Sequence, residues 1–169
     1  MKKLFLIIFG IWFSISIAYS SEPNKGYKGF VGLSLGDAYN FNTAQLISVN
    51  NMQLYGMLST THGYQWKNWF FGGGIGYYHS FRDKENMYPL FVAGRYTFSS
   101  IKINPFCETR AGMIYDPRWV EPLQVLGSLC TGVYINNDLQ VGLRLSVFSR
   151  PSRYFTANAA VAFSYSFGQ

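Results

Sequence analysis

Tyr154-Phe155-Thr156-Ala157-Asn158-Ala159-Ala160-Val161-Ala162-Phe163-Ser164-Tyr165-Ser166-Phe167 alternates without a break. Its odd positions are Phe155, Ala157, Ala159, Val161, Phe163, Tyr165 and Phe167. Its even positions are Tyr154, Thr156, Asn158, Ala160, Ala162, Ser164 and Ser166. Successive side chains of a strand point to opposite faces, so one face here is apolar and the other small or polar. A helix, with a period of 3.6, would mix the two sets on every face. The alternation also runs longer than a typical soluble strand.

Moving upstream, residues 138–150 repeat the pattern. Leu139, Val141, Leu143, Leu145 and Val147 stand against Gln140, Gly142, Arg144, Ser146 and Arg150. Residues 27–36 set Val31, Leu33 and Leu35 against Lys28, Phe30, Gly32 and Ser34. Residues 52–66 place Leu54, Leu58, Tyr64 and Trp66 on one face. Residues 69–81 place Phe71, Ile75 and Tyr77 opposite Gly72, Gly74 and Gly76. Further strands are expected at 88–98, 101–115 and 123–135, and no helical stretch competes with any of the eight.

The connections alternate in length. Lys67-Asn68, Ser99-Ser100 and Asn136-Asn137 read as tight turns, the last with good hairpin chemistry. The others are longer: 37–51, 82–87, 116–122 and Pro151-Ser152-Arg153. Short turns on one rim and longer loops on the other are the pattern of a barrel crossing an outer membrane with both termini in the periplasm. Eight strands of about ten residues match a tilted crossing of the bilayer, and closure leaves no unpaired edge in hydrocarbon. The fold class expected is all-β: an eight-stranded antiparallel up-and-down transmembrane β-barrel. A soluble lipocalin-like barrel, apolar inside, is the competing fold. It would have to turn Trp66 and Trp69 inward at a turn.

Composition agrees with the membrane reading. The 169 residues allow one domain, 49% of them are hydrophobic and 19% aromatic, and only 13% are charged. A barrel with an apolar outer band and aromatic girdles uses that mixture. The chain opens Met1-Lys2-Lys3, continues with an apolar run from Leu4 to Phe13, and reaches Ala18-Tyr19-Ser20 before a polar stretch. This is the form of a secretory signal peptide cleaved after Ser20, leaving residues 21–169 as the barrel domain. Losing Lys2 and Lys3 lowers the formal net charge from +6 to +4. The remaining charges are scattered, which argues against nucleic acid as a partner.

The arrangement resembles the small eight-stranded outer-membrane proteins of Gram-negative bacteria, over the whole mature chain and by topology rather than by a family-specific motif. Its Tyr- and Gly-rich strands are similar to small barrels of Bacteroidota. Phe163, Tyr165 and Phe167 look like the C-terminal signal read by the barrel-assembly machinery, although Gly168 and Gln169 follow the last aromatic. The resemblance implies outer-membrane lipid and lipopolysaccharide as surroundings, a monomer, and no cofactor or metal. Two barrels of this size class are enzymes, a lipid A deacylase and a lipid A palmitoyltransferase, which use a His with Ser and acidic partners. The deacylase type places His and Ser two apart on one strand. Here His62 is followed by Gly63-Tyr64, and His79 directly by Ser80, which a regular strand turns to the opposite face. His79, near Asp83 and Glu85, is the centre that an enzymatic reading would use.

Parity turns Lys28, Arg95, Lys102, Glu108, Arg110, Arg144 and Arg150 inward. An eight-stranded barrel is just wide enough for side chains to fill, so these should pack rather than line a channel. Glu108, the one carboxylate in this set, is expected to anchor an ion-pair network with Arg110, Arg95 or Arg144. Cys107 and Cys130 fall on opposite faces of neighbouring strands and are expected to be free thiols, unless Pro105 introduces a bulge. Arg82, Lys84, Arg118 and Arg153 in the loops are candidates for contact with lipopolysaccharide phosphates. Solvated loop charges are the blander reading of the same residues. The functional expectation is a non-enzymatic barrel with an envelope-structural or surface-interaction role through its outer loops. A lipid A-modifying enzyme centred on His79 and a minor pore are the alternatives.

Overall fold

The computed structural model describes residues 25–42, 53–98, 104–118, 123–150 and 154–168. The segment read as a signal peptide, the Ser99-Ser100 turn, Lys102, Arg153 and most of the 37–51 connection lie outside the described residues.

Eight strands follow one another: β1 Lys25–Asn42, β2 Gln53–Trp66, β3 Trp69–Ser80, β4 Glu85–Thr97, β5 Pro105–Tyr115, β6 Leu123–Tyr134, β7 Leu139–Arg150 and β8 Tyr154–Phe167. Each pairs antiparallel with its neighbour, and β8 returns to β1 from Gly29↔Phe167 to Asn42↔Tyr154, closing the barrel. Every strand thus has two partners, and no edge presents unpaired backbone to a surrounding medium.

Alternation decides what each face meets. The outward set is apolar: Val125 is 67% exposed, Val92 65%, Leu143 64% and Leu90 63%. The inward set is buried and mixed, with Phe30, Arg95 and Gln124 each 2% exposed. This inversion of a soluble protein's polarity rules out the lipocalin-like alternative, in which the apolar face would line the interior. Trp66, Trp69, Phe71 and Tyr64 stand exposed beside the β2–β3 turn, where a girdle belongs.

Inside, small and large residues interlock. Gly72 and Gly74 face inward on β3, where a Cβ would meet Phe70 Cζ at 2.7 Å and Phe91 Cε2 at 2.6 Å. The glycines therefore make room for the two rings. Phe70 in turn meets Phe30 edge-on at 4.9 Å.

Several boundaries differ from the sequence reading. β1 runs to Asn42 rather than 36, because backbone pairing with β8 continues past the point where its side-chain alternation fades at Gly36. β4 begins at Glu85 rather than 88, since Ser80↔Glu85 and His79↔Asn86 extend the ladder through polar residues. Pro105 starts β5 without a bulge, and the register from Thr97↔Phe106 to Tyr88↔Tyr115 is continuous. A proline lacks the N–H that a strand interior needs, so the first position suits it. The β6–β7 connection is a four-residue turn, 135–138, rather than a two-residue one. Asn136 Oδ1 accepts from the Asp138 and Leu139 amides at 2.9 and 2.7 Å, a side-chain turn that the hairpin reading overlooks. In the β2–β3 turn Lys67 takes a φ of 54°, and Thr97 N–H donates to the neighbouring Asn68 carbonyl at 2.9 Å.

Candidate functional site

The lumen is organised around Glu108, which is 1% exposed on β5. Register brings its partners to it. Arg95 lies directly across on β4, and Arg110 is two residues along on the same face. Arg144 comes from β7 through Glu108↔Cys130 and Cys130↔Arg144. Arg95 donates through Nε at 2.9 Å and also through Nη2 to Oε2. Arg110 Nε and Arg144 Nη2 donate to Oε1 at 2.7 and 3.1 Å. Beyond the carboxylate, Arg95 donates to Gln140, Arg110 to Ser59 and Arg144 to Ser34. These bonds tie β1, β2, β4, β5 and β7 together across the interior.

Three guanidiniums against one carboxylate leave an excess of positive charge. Aromatic faces take up part of it: Arg95 Cζ lies 4.0 Å from the Phe30 ring centre and 4.5 Å from that of Phe106, and Arg110 Cζ lies 4.4 Å from Phe91. Lys28 also faces inward, its Nζ 5.7 Å from the Phe30 ring centre and 5.9 Å from that of Tyr134. The arrangement is a packed plug, with the four central charges 1–5% exposed. The side chain of Arg150 and the whole of Lys102 lie outside the described residues.

At the long-loop end the candidate basic residues divide. Arg118 is committed to the protein itself, donating to both oxygens of buried Asp116 at 2.9 and 2.7 Å and pairing with Glu85 at 2.5 Å. These carboxylates hold its guanidinium above its ordinary pKa, chiefly through the Asp116 and Glu85 bonds. The bridge fastens the β5–β6 connection to the start of β4, while Gln53 Nε2 donates to Asp83 and fastens the β3–β4 connection to β2. The sequence hides this, because Glu85 and Arg118 are 33 positions apart. Arg82 and Lys84 are exposed in the β3–β4 connection.

His79 sits on the outward face of β3. Its Nδ1 lies 2.7 Å from Asn86 Oδ1, which also accepts from the Tyr77 hydroxyl at 2.7 Å. Ser80 is buried on the opposite face. These contacts bring His79 the phenol of Tyr77 but no serine or threonine hydroxyl, and its partner is an amide rather than a carboxylate.

His62 shows what the sequence reading passed over. Looking two residues forward from it finds no serine, only Tyr64, but Thr60 stands two residues before it on the same face. Thr60 Oγ1 lies 2.9 Å from His62 Nε2, and the Tyr27 hydroxyl is bonded to Nδ1. Phe167 meets the ring edge-on at 5.7 Å. The signal, Thr-x-His on an outward face, was present in the residues.

Comparison with solved structures now has a geometry to be set against. Over 86% of this chain and all of the other, the barrel superposes on Neisserial surface protein A (NspA) with a TM-score of 0.58 and 9% identity. The outer membrane enzyme PagL matches at 0.62 and 13% identity, over 80% of this chain and 98% of that one. Ail, the attachment invasion locus protein of Yersinia pestis, matches at 0.51 and 6%, over 83% and 99%. No family model and no curated protein sequence matches the chain. At these identities the likeness is one of fold. The chain has the transmembrane eight-stranded barrel fold of small outer-membrane proteins.

Cys107 and Cys130 are both free thiols. The pairings Glu108↔Cys130 and Cys107↔Thr131 set them one position out of register and on opposite faces, Cys130 in the lumen and Cys107 outward.

Proposed function

We propose that this protein is a non-enzymatic integral barrel of the outer membrane, with its tight-turn rim and both termini in the periplasm. In this reading it serves the envelope, or a surface partner, through its long-loop end. The observation that carries it is the plugged lumen inside an apolar wall: Arg95, Arg110 and Arg144 converge on Glu108 and fill the space a pore would need. Residues 1–20 act as the signal peptide that the route to the periplasm requires, and the aromatic end of β8 is the segment the assembly machinery reads.

For the surface role, exposed Arg82 and Lys84 are the described basic groups placed to meet lipopolysaccharide phosphates, and Arg153 is assigned with them from the sequence alone. Arg118 is withdrawn from that set by Asp116 and Glu85. Ail has been solved with the heparin analogue sucrose octasulfate, so a barrel of this fold can hold a polyanion. The likeness to PagL keeps the enzymatic alternative in view: His79 is bonded to the Asn86 amide rather than to a carboxylate, and the hydroxyl–imidazole pair of Thr60 and His62 lies toward the tight-turn rim, where this reading places the periplasm. The test is binding of purified lipopolysaccharide to the mature protein and to an Arg82→Ala, Lys84→Ala, Arg153→Ala variant. Salt-sensitive binding that the variant loses supports the reading. Equal binding by both proteins contradicts the assigned residues, and release of fatty acid from lipid A contradicts the non-enzymatic role.

A further inference from the structure

The outer wall of the barrel is not smooth. Between β2 and β5 lies a cleft of about 790 Å³ open to the outside, within the size range of sites that hold small ligands. Its floor forms where Gly73 and Ala111 contribute almost no bulk on either side of Val92, and exposed Ile75, Leu90 and Met113 supply a wall. The lining is apolar except at one end, where Thr60 and His62 stand with Tyr27 bonded to the His62 ring.

The position of that polar end matters. His62 lies four residues from Trp66 at the tight-turn rim, whereas Met113 lies eight from Pro105 at the start of β5. Met113 is two residues from Tyr115 at the far end of β5, so the cleft crosses the wall from just inside the tight-turn girdle toward the long-loop end. Polar side chains on a hydrocarbon-facing wall are costly, and such residues mark functional positions. A ligand with a polar, hydrogen-bonding end and an apolar tail fits the gradient. A second copy of the chain does not, because two convex barrels meet along a line and leave a concave groove unfilled.

We propose that this cleft seats one acyl chain of a phospholipid, with the lipid's ester group beside Thr60, His62 and Tyr27 and the chain lying over Gly73 and Ala111 toward Met113. The choice of phospholipid rests on the orientation proposed above, which turns the His62 end to the periplasmic leaflet. With Tyr27 bonded to Nδ1 and Nε2–H donating to Thr60 Oγ1, the Thr60 hydroxyl is the group that can donate to an ester carbonyl oxygen, which gives the seat its polarity and direction.

The structure supplies a matched control. Gly73 and Gly127 both face outward, and a Cβ at Gly73 would meet only the Phe91 carbonyl at 3.8 Å, while one at Gly127 meets nothing within 4 Å. Only Gly73 lines the cleft. The experiment is native mass spectrometry of the mature protein extracted from bilayers of palmitoyl-oleoyl phosphatidylethanolamine doped with lipid A. It is scored on the fraction showing a heat-modifiable gel shift. Wild type and Gly127→Phe should each retain one phospholipid. Gly73→Phe and, independently, Ala111→Phe should retain roughly tenfold less. A folded wild type that keeps no phospholipid, a folded cleft variant that keeps it fully, or retention of lipid A in its place overturns the proposal. Loss of the gel shift in wild type would instead overturn the barrel reading itself.

Discussion

Glu108 accepts hydrogen bonds from three arginines in the lumen, so Glu108→Gln strips the negative charge from beneath three guanidiniums while keeping the shape. Breaking a buried ion pair from one side costs about 3–5 kcal/mol, because the remaining charges stay buried without compensation. The variant is expected to unfold at markedly lower urea concentration in detergent than the wild type; an unchanged midpoint would contradict the network's role. At the rim the sum is smaller. Arg118 is 40% exposed at its side chain, so its pairing with Glu85 and Asp116 is screened, and Arg118→Ala should cost about 1 kcal/mol. Its clearer effect should be faster proteolysis within residues 116–122, followed by limited digestion of the folded protein; an unaltered rate would mean that the bridge does not fasten the connection.

The strands extend that argument from contacts to register. A single slip of one residue would turn Glu108 outward into the apolar band, so the network and the ladder specify each other. Gly74→Ala tests the packing side of this, since the new Cβ would fall 2.5 Å from the Thr60 carbonyl and 2.6 Å from the Phe91 ring. Overpacking of this kind costs about 1–3 kcal/mol, whereas Gly73→Ala, one residue away on the open face, should leave the urea midpoint unchanged. Equal effects would contradict the assigned faces. Register also governs the thiols: alkylation of the denatured, unreduced protein should add two labels, and a missing label would mean that Cys107 and Cys130 had bridged. Eight strands and their faces were legible because alternation of Val, Leu, Phe and Tyr with small or polar residues is a local signal. The ends of β1 and β4 were not, because pairing there runs through Asp37, Glu85 and Asn86, whose polarity resembles a loop. The Arg118–Glu85 bridge was invisible for a different reason, since it depends on which connections share a rim. Thr60 beside His62 was local and readable in either direction along β2.

For the whole molecule, the exposed band from Val31 to Tyr165 and the sealed lumen determine how it behaves in bulk. With Arg95 and Glu108 almost wholly buried, the reconstituted protein should give no steady single-channel conductance in planar bilayers; stable openings would contradict the plug. The inward and outward sets exchange the polarity of a soluble fold, so the barrel needs a hydrocarbon surround to remain closed. The most direct test is the electrophoretic mobility of the protein from purified outer membranes, compared with and without boiling in SDS. A closed barrel resists SDS until heated, so the account predicts a faster-migrating band in the unheated sample that converts to the unfolded position on boiling. Identical mobility in both samples, or recovery of the protein in the soluble periplasmic fraction, would contradict it.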